Sequence, residues 1–436
     1  MISVNKRIGS AGAVLVALAL LTSACGSDDE AATTTAASTA ETTAATTAET
    51  TAETTAETAA SETSTVETTG DTTASGEISA ERCAENEAAG KITYLSSFDF
   101  AAAPSIIDVV VAKENGYFEA MCLDVELRPS FSTSNYPLIA ADQAQFSSAG
   151  SFTEILNYSR DGAEFVALVD YGKVPVEALL TPEGGSTTLA DLKGKTIGVK
   201  GDLPPSIVAM LAEAGLIRGT DYQEVLLDGF DPVAHLSSGI DALPVYKSNE
   251  PGQLDAAGVG YNTFDPATEG IPGSFGLLYT SKSFAEANPT ATEDFIRAAL
   301  KGMEDAIADP EAAVAASVAA IDAAGNQNFL TEAGESYRLG EELQLVLDGT
   351  PSGSPVGLID PAVFDAEYAA YVDAGVWPDG APENGKYFDE SLAAGLYGDD
   401  GKVVWPGCAP TSSAVSEATR SLPSKPCPIP SRPLAN

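Results

Sequence analysis

The sequence predicts an α/β protein with two lobes, and three observations support this. From Lys91 onward, short apolar segments alternate with longer helical segments, a pattern typical of βαβ units and mostly parallel sheets. The pattern occurs in two series: the segment Val176–Thr181 leads into the second, and Ser274–Ser281 carries the chain back to the first. About 345 residues follow the N-terminal region, enough for two domains or one large bilobal unit.

The N-terminus has the pattern of an exported lipoprotein. Two basic residues precede an apolar run from Ala11 to Leu21, and small residues precede Cys25. This order is typical of a signal peptide, and the run is too short for a stable membrane span. The site before Cys25 resembles a bacterial lipobox, which implies a signal peptide over residues 1–24 and lipidation of Cys25. The alternative is an ordinary signal peptide with an incidental cysteine.

Residues 25–80 are predicted to be a disordered tether behind the lipidated cysteine. The segment is rich in Thr, Ala and Glu, and it contains no Lys or Arg. Such a composition buries too little apolar surface to offset the loss of chain entropy on folding. The prediction is a protein anchored at the extracytoplasmic face of the cell membrane.

Charge and cysteine content limit the classes of function. The formal net charge of −41 argues against nucleic acid as a partner. His235 is the single histidine, which removes most histidine-dependent chemistry. The four cysteines beyond Cys25 suggest two disulfides in an exported chain, and three pairings are possible. Because there is no CxxC motif, and no His close to a Cys in sequence, we expect no metal site.

The first series contains four strands and three helices. Apolar runs predict the strands, and Pro104 and Ser151 are suited to begin helices. The predicted strands are 92–98, 123–127, 144–150 and 164–171, and the predicted helices are 104–118, 136–143 and 151–162.

The second series runs to about Gly270 and is followed by long Ala-rich helices. Its predicted strands are 176–181, 196–199, 222–230 and the end of 233–246, with a helix starting at Pro204 or Pro205. The later helices are predicted at 293–308, 310–324, 332–347 and 361–375. The last stretch, 401–436, is rich in Pro and Ser and is expected to be an irregular tail.

Several passages between Lys91 and Val314 resemble the substrate-binding proteins of ABC importers. They are "VAKENGYF" with "LDVEL", "LADLKGKTIGVKGD", "FDPVAHLSSGIDALPVYKSNEPGQL" and "GSFGLLYTSKSFAEANPTATEDFIRAALKGMEDAIADPEAAV". "YKSNEPGQL" and the two "FDP" elements resemble the binders of the thiamine pyrimidine precursor and riboflavin; the wider subgroup includes sulfonate and taurine binders.

The resemblance implies a type II periplasmic-binding-protein fold, with two sheets flanked by helices and a ligand cleft between the lobes. Lobe one is then 90–176 with 275–400, lobe two is 177–274, and the crossovers lie at Glu177–Thr181 and Phe275–Thr280. It also implies a monomer without a cofactor that delivers a small, aromatic heterocycle to an importer permease.

Candidate ligand-binding residues follow the carboxyl ends of strands, where helix N-termini offer free N–H groups. Aromatic side chains there could stack on a flat ring, and polar groups could bind its edge. The candidates are Phe98, Asp99, Phe100, Ser148, Ser151, Phe152, Tyr171, Gly201, Asp202, Tyr246, Asn249 and Glu250. Each could instead serve only the core, a helix cap or a solvated loop.

Three alternatives to heterocycle delivery remain. The first is a binder of sulfonate or taurine-type ligands, and the second is a sensor that reports ligand occupancy to a membrane partner. The third is a pyrimidine-synthesising enzyme of the same fold. Those enzymes use a histidine and an iron-binding cysteine cluster. This sequence shows no such cluster and no histidine in the first lobe, so we expect no catalysis.

Cys122 replaces a glycine that the family usually carries in the turn before "LDVEL". Cys83 lies shortly before the first strand, and neighbouring parallel strands begin at the same sheet edge. We therefore expect a Cys83–Cys122 disulfide, which leaves Cys408 and Cys427 to pair in the tail.

Overall fold

The computed structural model describes residues 78–159, 162–385 and 387–406. The predicted signal peptide, Cys25, nearly all of the tether, and the Cys408 and Cys427 pair lie outside these residues. None of the described helices is long and apolar enough to cross a membrane.

The described chain alternates strands with helices, as the sequence predicts, so the α/β class is confirmed. The strands are β1 Lys91–Leu95, β2 Asp124–Arg128, β3 Phe146–Ala149, β4 Phe165–Gly172, β5 Glu177–Pro182, β6 Lys195–Val199, β7 Tyr222–Leu226, β8 Leu243–Tyr246, β9 Tyr261–Phe264 and β10 Phe275–Ser281. The helices are α1 Ala80–Ala88, α2 Ile107–Glu114, α3 Tyr117–Ala120, α4 Ser132–Ala140, α5 Phe152–Ser159, α6 Pro205–Glu213, α7 Pro232–Ser237, α8 Glu250–Ala257, α9 Lys282–Ala287, α10 Pro289–Ala308, α11 Pro310–Ala324, α12 Glu332–Gly349, α13 Pro361–Asp373 and α14 Glu390–Ala394, with a 3₁₀ turn at Leu189–Leu192.

The first sheet has five strands in the order β2-β1-β3-β10-β4. β1 runs parallel to β2 and β3, whereas β10 runs antiparallel to β3 and β4. Four strands therefore share one direction. The exception, β10, is the strand that enters this sheet from the second series.

The second sheet consists of two strand groups, β8-β5-β9 and β6-β7, and also contains one antiparallel strand. A parallel bridge between Ile197 and Ala242 joins the two groups. β5 is antiparallel to β8 and β9, while β6 and β7 are parallel. Each sheet therefore receives one reversed strand at a point where the chain crosses between them.

Two helix predictions need correction. The helix predicted for 104–118 is two helices, α2 and α3, because Gly116 adopts the left-handed φ of +74° and turns the chain between them. The helix predicted for 136–143 begins earlier, at Ser132, and ends at Ala140, with Pro137 inside it.

A disulfide joins Cys83, on α1, to Cys122, in the turn before β2. Cys122 has a φ of +56°, a conformation that glycine adopts more easily than other residues. The bond lies at the amino ends of β1 and β2, so it is at the edge opposite to the strand carboxyl ends.

Candidate functional site

The loop after β8 carries three candidate residues, Tyr246, Asn249 and Glu250. Tyr246 ends the strand and leaves 48% of its surface exposed, while Glu250 begins α8 and is buried. One carboxylate oxygen of Glu250 accepts the backbone N–H of Tyr246 at 2.9 Å, and the other pairs with the ammonium of Lys200. Because Lys200 directly follows β6, Glu250 joins the carboxyl ends of two strands.

Tyr246 lies among glutamates that come from both sheets. Burial raises the pKa of its hydroxyl well above the usual value, and nearby carboxylates raise it further. These are Glu177 at the start of β5, Glu154 on α5, Glu250 on α8 and Glu342 on α12. Tyr246 therefore places a half-exposed aromatic ring in an acidic region to which four glutamates contribute.

Glu154 and Glu177 are held as hydrogen-bond acceptors. The backbone N–H of Gly150 donates to Glu154 at 2.7 Å, and the hydroxyl of Ser206 donates to Glu177 at 3.0 Å. Burial raises the pKa of both carboxyl groups; the charge of Glu177 raises that of Glu154 further, whereas Lys247 lowers that of Glu177. A ligand with N–H donors or positive charge would relieve the cost of ionising these groups.

An aromatic pair follows β1 and β2. The rings of Phe98 and Phe131 meet edge to face with centroids 5.7 Å apart, and 47% of Phe131 is exposed. The guanidinium of Arg338 lies 5.8 Å from the centroid of the Phe98 ring. This arrangement offers an apolar surface at the carboxyl edge of the first sheet.

Five candidate residues are buried against the protein itself: Asp99, Phe100, Ser148, Phe152 and Tyr171. Ser148 accepts the N–H of Ser97 at 2.7 Å, and Phe152 stacks on Phe364 with centroids 4.0 Å apart. Tyr171 donates to Asp108 at 2.7 Å. These side chains support the loops, and direct ligand contact remains a prediction for them.

The remaining candidates are dispersed, except for Asn249, which belongs to the loop after β8. Ser151 accepts the N–H of Glu154 at 3.2 Å and so helps to begin α5, as the sequence suggests. Asn249 accepts from Gln253 and from Arg338, at 3.1 and 3.2 Å. Gly201 has a φ of +138°, and the side chain of Asp202 is fully exposed, 3.9 Å from Arg218.

Sequence reasoning missed three prominent groups: Glu154, Glu177 and Phe131. Phe131 follows β2 by three residues, and Glu154 lies in the first turn of α5, so both meet the rule used for the other candidates. Glu177 begins a crossover strand, where a polar residue could also have been chosen as a candidate. The residues that follow strand carboxyl ends therefore include more candidates than the sequence prediction named.

Cys83, Glu87 and Cys122 are the described residues whose side chains come close enough to suggest a metal site. The two sulfurs form the disulfide, so neither offers a thiolate ligand. His235 is buried on α7, and its Nε2 lies 3.0 Å from the carbonyl oxygen of Asp228, which gives it a structural role.

Comparisons with known proteins fit this architecture. Residues 103–313 match the "NMT1/THI5 like" family model. The formylaminopyrimidine-binding protein of Halalkalibacterium halodurans is 29% identical over 283 residues, which cover 61% of this chain and 80% of that protein. The riboflavin-binding protein RibY of Chloroflexus aurantiacus is 27% identical over 242 residues, covering 51% of this chain and 63% of that protein.

Solved structures share the fold. The periplasmic aliphatic sulphonate-binding protein SsuA of Escherichia coli superposes with a TM-score of 0.51 at 15% identity, covering 77% of this chain and 97% of that protein. A putative periplasmic sulfonate-binding protein SsuA of Methylobacillus flagellatus gives 0.50 at 16% identity, covering 70% and 93%. The chain therefore has the fold of the periplasmic binding proteins, and its residues 103–313 are similar to the NMT1/THI5-like family.

Proposed function

We propose that this protein is the extracytoplasmic binding component of an ABC importer and captures a small heterocycle that carries N–H donor groups. The observation that supports this most is the position of Tyr246 among Glu154, Glu177, Glu250 and Glu342. Relatives named for formylaminopyrimidine and riboflavin binding make a nitrogen heterocycle the natural class to test first. The relatives are named as binding proteins, and we propose no reaction.

The chemistry of the site explains this choice. Carboxylate oxygens accept hydrogen bonds from exocyclic amino groups and ring N–H groups, and such charge-assisted bonds are stronger than neutral ones. The Phe98 and Phe131 rings offer faces for stacking on a flat ring. A cleft with few precise polar groups and aromatic walls is typical of small-molecule sites.

Thermal-shift measurements on the purified protein test the proposal. The ligand panel consists of the thiamine pyrimidine precursor, riboflavin and taurine. Each is used far above a plausible Kd, because a ligand bound only by the native state raises Tm with concentration. We expect a rise with one of the two heterocycles and none with taurine. No shift with either heterocycle would contradict the proposal.

A sulfonate ligand is the second candidate, favoured by the fold shared with two proteins named for sulfonate binding. Lys200 supplies a cation in the site, but its ammonium is paired with Glu250. An anionic ligand would have to approach four carboxylates, which like-charge repulsion opposes. A Tm rise with taurine alone would select this candidate.

The membrane anchor is a further part of the proposal and rests on the sequence around Cys25. Expression in a bacterium with lipoprotein processing should place the wild-type chain in the membrane fraction, whereas Cys25→Ser should release it. Equal distribution of both chains would contradict lipidation and leave the binding function untouched.

A role as an occupancy sensor is distinguished by copurification with a sensor kinase rather than a permease.

A further inference from the structure

Helix α12 contacts the loop after β8 from outside the second sheet. α12 packs on α11 and β4, which belong with the first sheet, and it also packs on α8 of the second sheet. It lies beyond residues 103–313, the part that matches the family model. The contact therefore joins a C-terminal helix to the loop that carries Tyr246 and Glu250.

Three successive loop residues are bound by α12. The hydroxyl of Ser248 donates to Glu342 at 2.6 Å, and both side chains are buried. Arg338 donates to the amide oxygen of Asn249 at 3.2 Å, and the hydroxyl of Tyr337 donates to the carbonyl oxygen of Lys247 at 3.2 Å.

The ring of Tyr337 also lies close to the backbone of α8 beside these bonds. A Cβ atom added at Gly252 would lie 2.7 Å from the ring of Tyr337, so the glycine allows the helix to reach the loop. Residues 247–249 connect Tyr246 directly to Glu250. Fixing these three residues therefore fixes the direction of both candidate ligand contacts.

We infer that Arg338 and Glu342 are positioning residues, which hold the Tyr246–Glu250 loop in its ligand-binding conformation and couple the second sheet to the first. Glu342 also faces Glu335 and Tyr246, so its carboxyl group lies in an acidic environment. An isolated buried carboxylate is unfavourable unless it is paired and hydrogen-bonded. Here the hydroxyl of Ser248 hydrogen-bonds Glu342, and the positive charge of Arg338, which forms an ion pair with Glu335, lowers the cost of ionising Glu342. We call Arg338, Glu342, Ser248 and Asn249 the α12 clasp.

Hydrogen–deuterium exchange of the full ligand-free protein tests the clasp without any ligand. Glu342→Ala removes the acceptor for Ser248, and we expect roughly tenfold faster exchange in peptides covering residues 246–257, as for the loss of one buried hydrogen bond. Glu342→Gln keeps an acceptor oxygen and should restore most of the protection. Glu341→Ala is the matched control, because Glu341 is the adjacent, exposed residue of α12.

Two outcomes would overturn the inference. One is unchanged loop exchange in Glu342→Ala. The other is equal acceleration in peptides of β1 and α10, which would indicate general destabilisation rather than release of a loop. Ser248→Ala combined with Glu342→Ala should add little to either single change, since both remove the same bond.

The role in binding rests on the proposed function and has a separate test. The probe is whichever of the thiamine pyrimidine precursor and riboflavin stabilises the wild type. With it, Glu342→Ala should weaken binding about tenfold, Glu342→Gln should recover most of the loss, and Glu341→Ala should have no effect. If wild-type protein binds no heterocycle, the proposed function fails while the exchange result still decides the clasp. If it binds and Glu342→Ala binds equally well, the positioning role fails.

Discussion

Glu250 is a single side chain that connects two strand ends. One oxygen holds the N–H of Tyr246 and the other holds Lys200, so both loops change if the carboxylate is lost. Its burial makes these bonds stronger than they would be at the surface. At the residue scale, this side chain is thus the most sensitive point of the candidate site.

Glu250→Gln should weaken heterocycle binding by about tenfold or more, because it removes the charge that pairs with Lys200 and leaves a buried ammonium with a weaker partner. Isothermal titration calorimetry with the heterocycle that stabilises the wild type measures the change in Kd. Glu213→Gln removes an exposed charge at the end of α6 and serves as the control. Equal affinity in the two variants would show that Glu250 does not contribute to ligand binding.

Asp108 is a buried carboxyl group in the first turn of α2. Burial raises its pKa to about 7, although the hydroxyl of Tyr171 and the N–H of Val109 donate to it. A carboxyl whose pKa is higher in the folded than in the unfolded chain favours folding most at pH values below the unfolded pKa. That contribution is lost as the pH rises through about 7.

Asp108→Asn should therefore reduce the loss of stability between pH 5 and pH 8. In the wild type, the stability that Asp108 loses over this interval is at most about 3 kcal/mol. A shift of roughly three pKa units corresponds to about 4 kcal/mol, and part of this is already lost at pH 5. Urea denaturation at the two pH values measures it. Asp124→Asn, at an exposed position on β2, should leave the pH dependence as in the wild type. If the free energy of unfolding falls equally in the wild type and in Asp108→Asn between the two pH values, the prediction is wrong.

At the scale of elements, the disulfide fastens α1 to the turn before β2. It closes a loop with a sequence separation of 39 residues, and loop-closure entropy gives about 4 kcal/mol of stabilisation for that length. Cys83→Ala with Cys122→Ala should lower the free energy of unfolding by roughly this amount. Chemical denaturation of the oxidised wild type and the variant measures it.

The left-handed φ of Cys122 supplies an internal control for that experiment. Cys83→Ala with Cys122→Gly should be more stable than the double alanine variant by about 1 kcal/mol, because glycine adopts this conformation without a clash at Cβ. A double alanine variant as stable as the wild type would show that the bond does not stabilise the native state.

Local patterns predicted many elements but not their long-range partners. The bounds of α11 agree with the prediction, because Pro310 begins the helix and Gly325 ends it with a left-handed φ. The bond from Ser248 to Glu342 spans 94 residues, and no local pattern carries such a contact. Phe152 illustrates the same limit: an aromatic residue at a helix start suits a binding loop, yet it stacks on Phe364 of α13.

At the scale of the molecule, the two sheets share part of one hydrophobic core. A single cluster of buried side chains includes Leu95 from β1, Leu179 from β5, Ile197 from β6 and Phe364 from α13. Glu367 on α13 also accepts the hydroxyl of Ser274, just before β10, at 2.6 Å. The C-terminal helices thus hold the crossover region on one side, while the α12 clasp holds the ligand loop on the other.

Buried carboxyl groups and the net charge determine how the stability of the whole molecule changes with pH near neutrality. Burial raises the pKa of Asp108, Glu342 and Glu367 to about 7 and that of Asp170 to about 6. Carboxyl groups with lowered pKa values, such as Asp191 and Asp221, are ionised in both the folded and the unfolded chain above pH 5.5. They therefore do not change the free energy of unfolding with pH in that range. The net charge of −41 adds repulsion in the same direction.

Tm should therefore be higher at pH 5.5 than at pH 8, since each group with a pKa near 7 loses up to about 2 kcal/mol of stabilisation over this interval. Raising NaCl from 0.05 to 0.5 M should increase Tm by screening exposed charges, but buried groups are screened much less. Thermal unfolding at both pH values and both salt concentrations separates the two contributions. If the pH difference disappears in 0.5 M NaCl, surface repulsion caused it and the buried carboxyl groups did not.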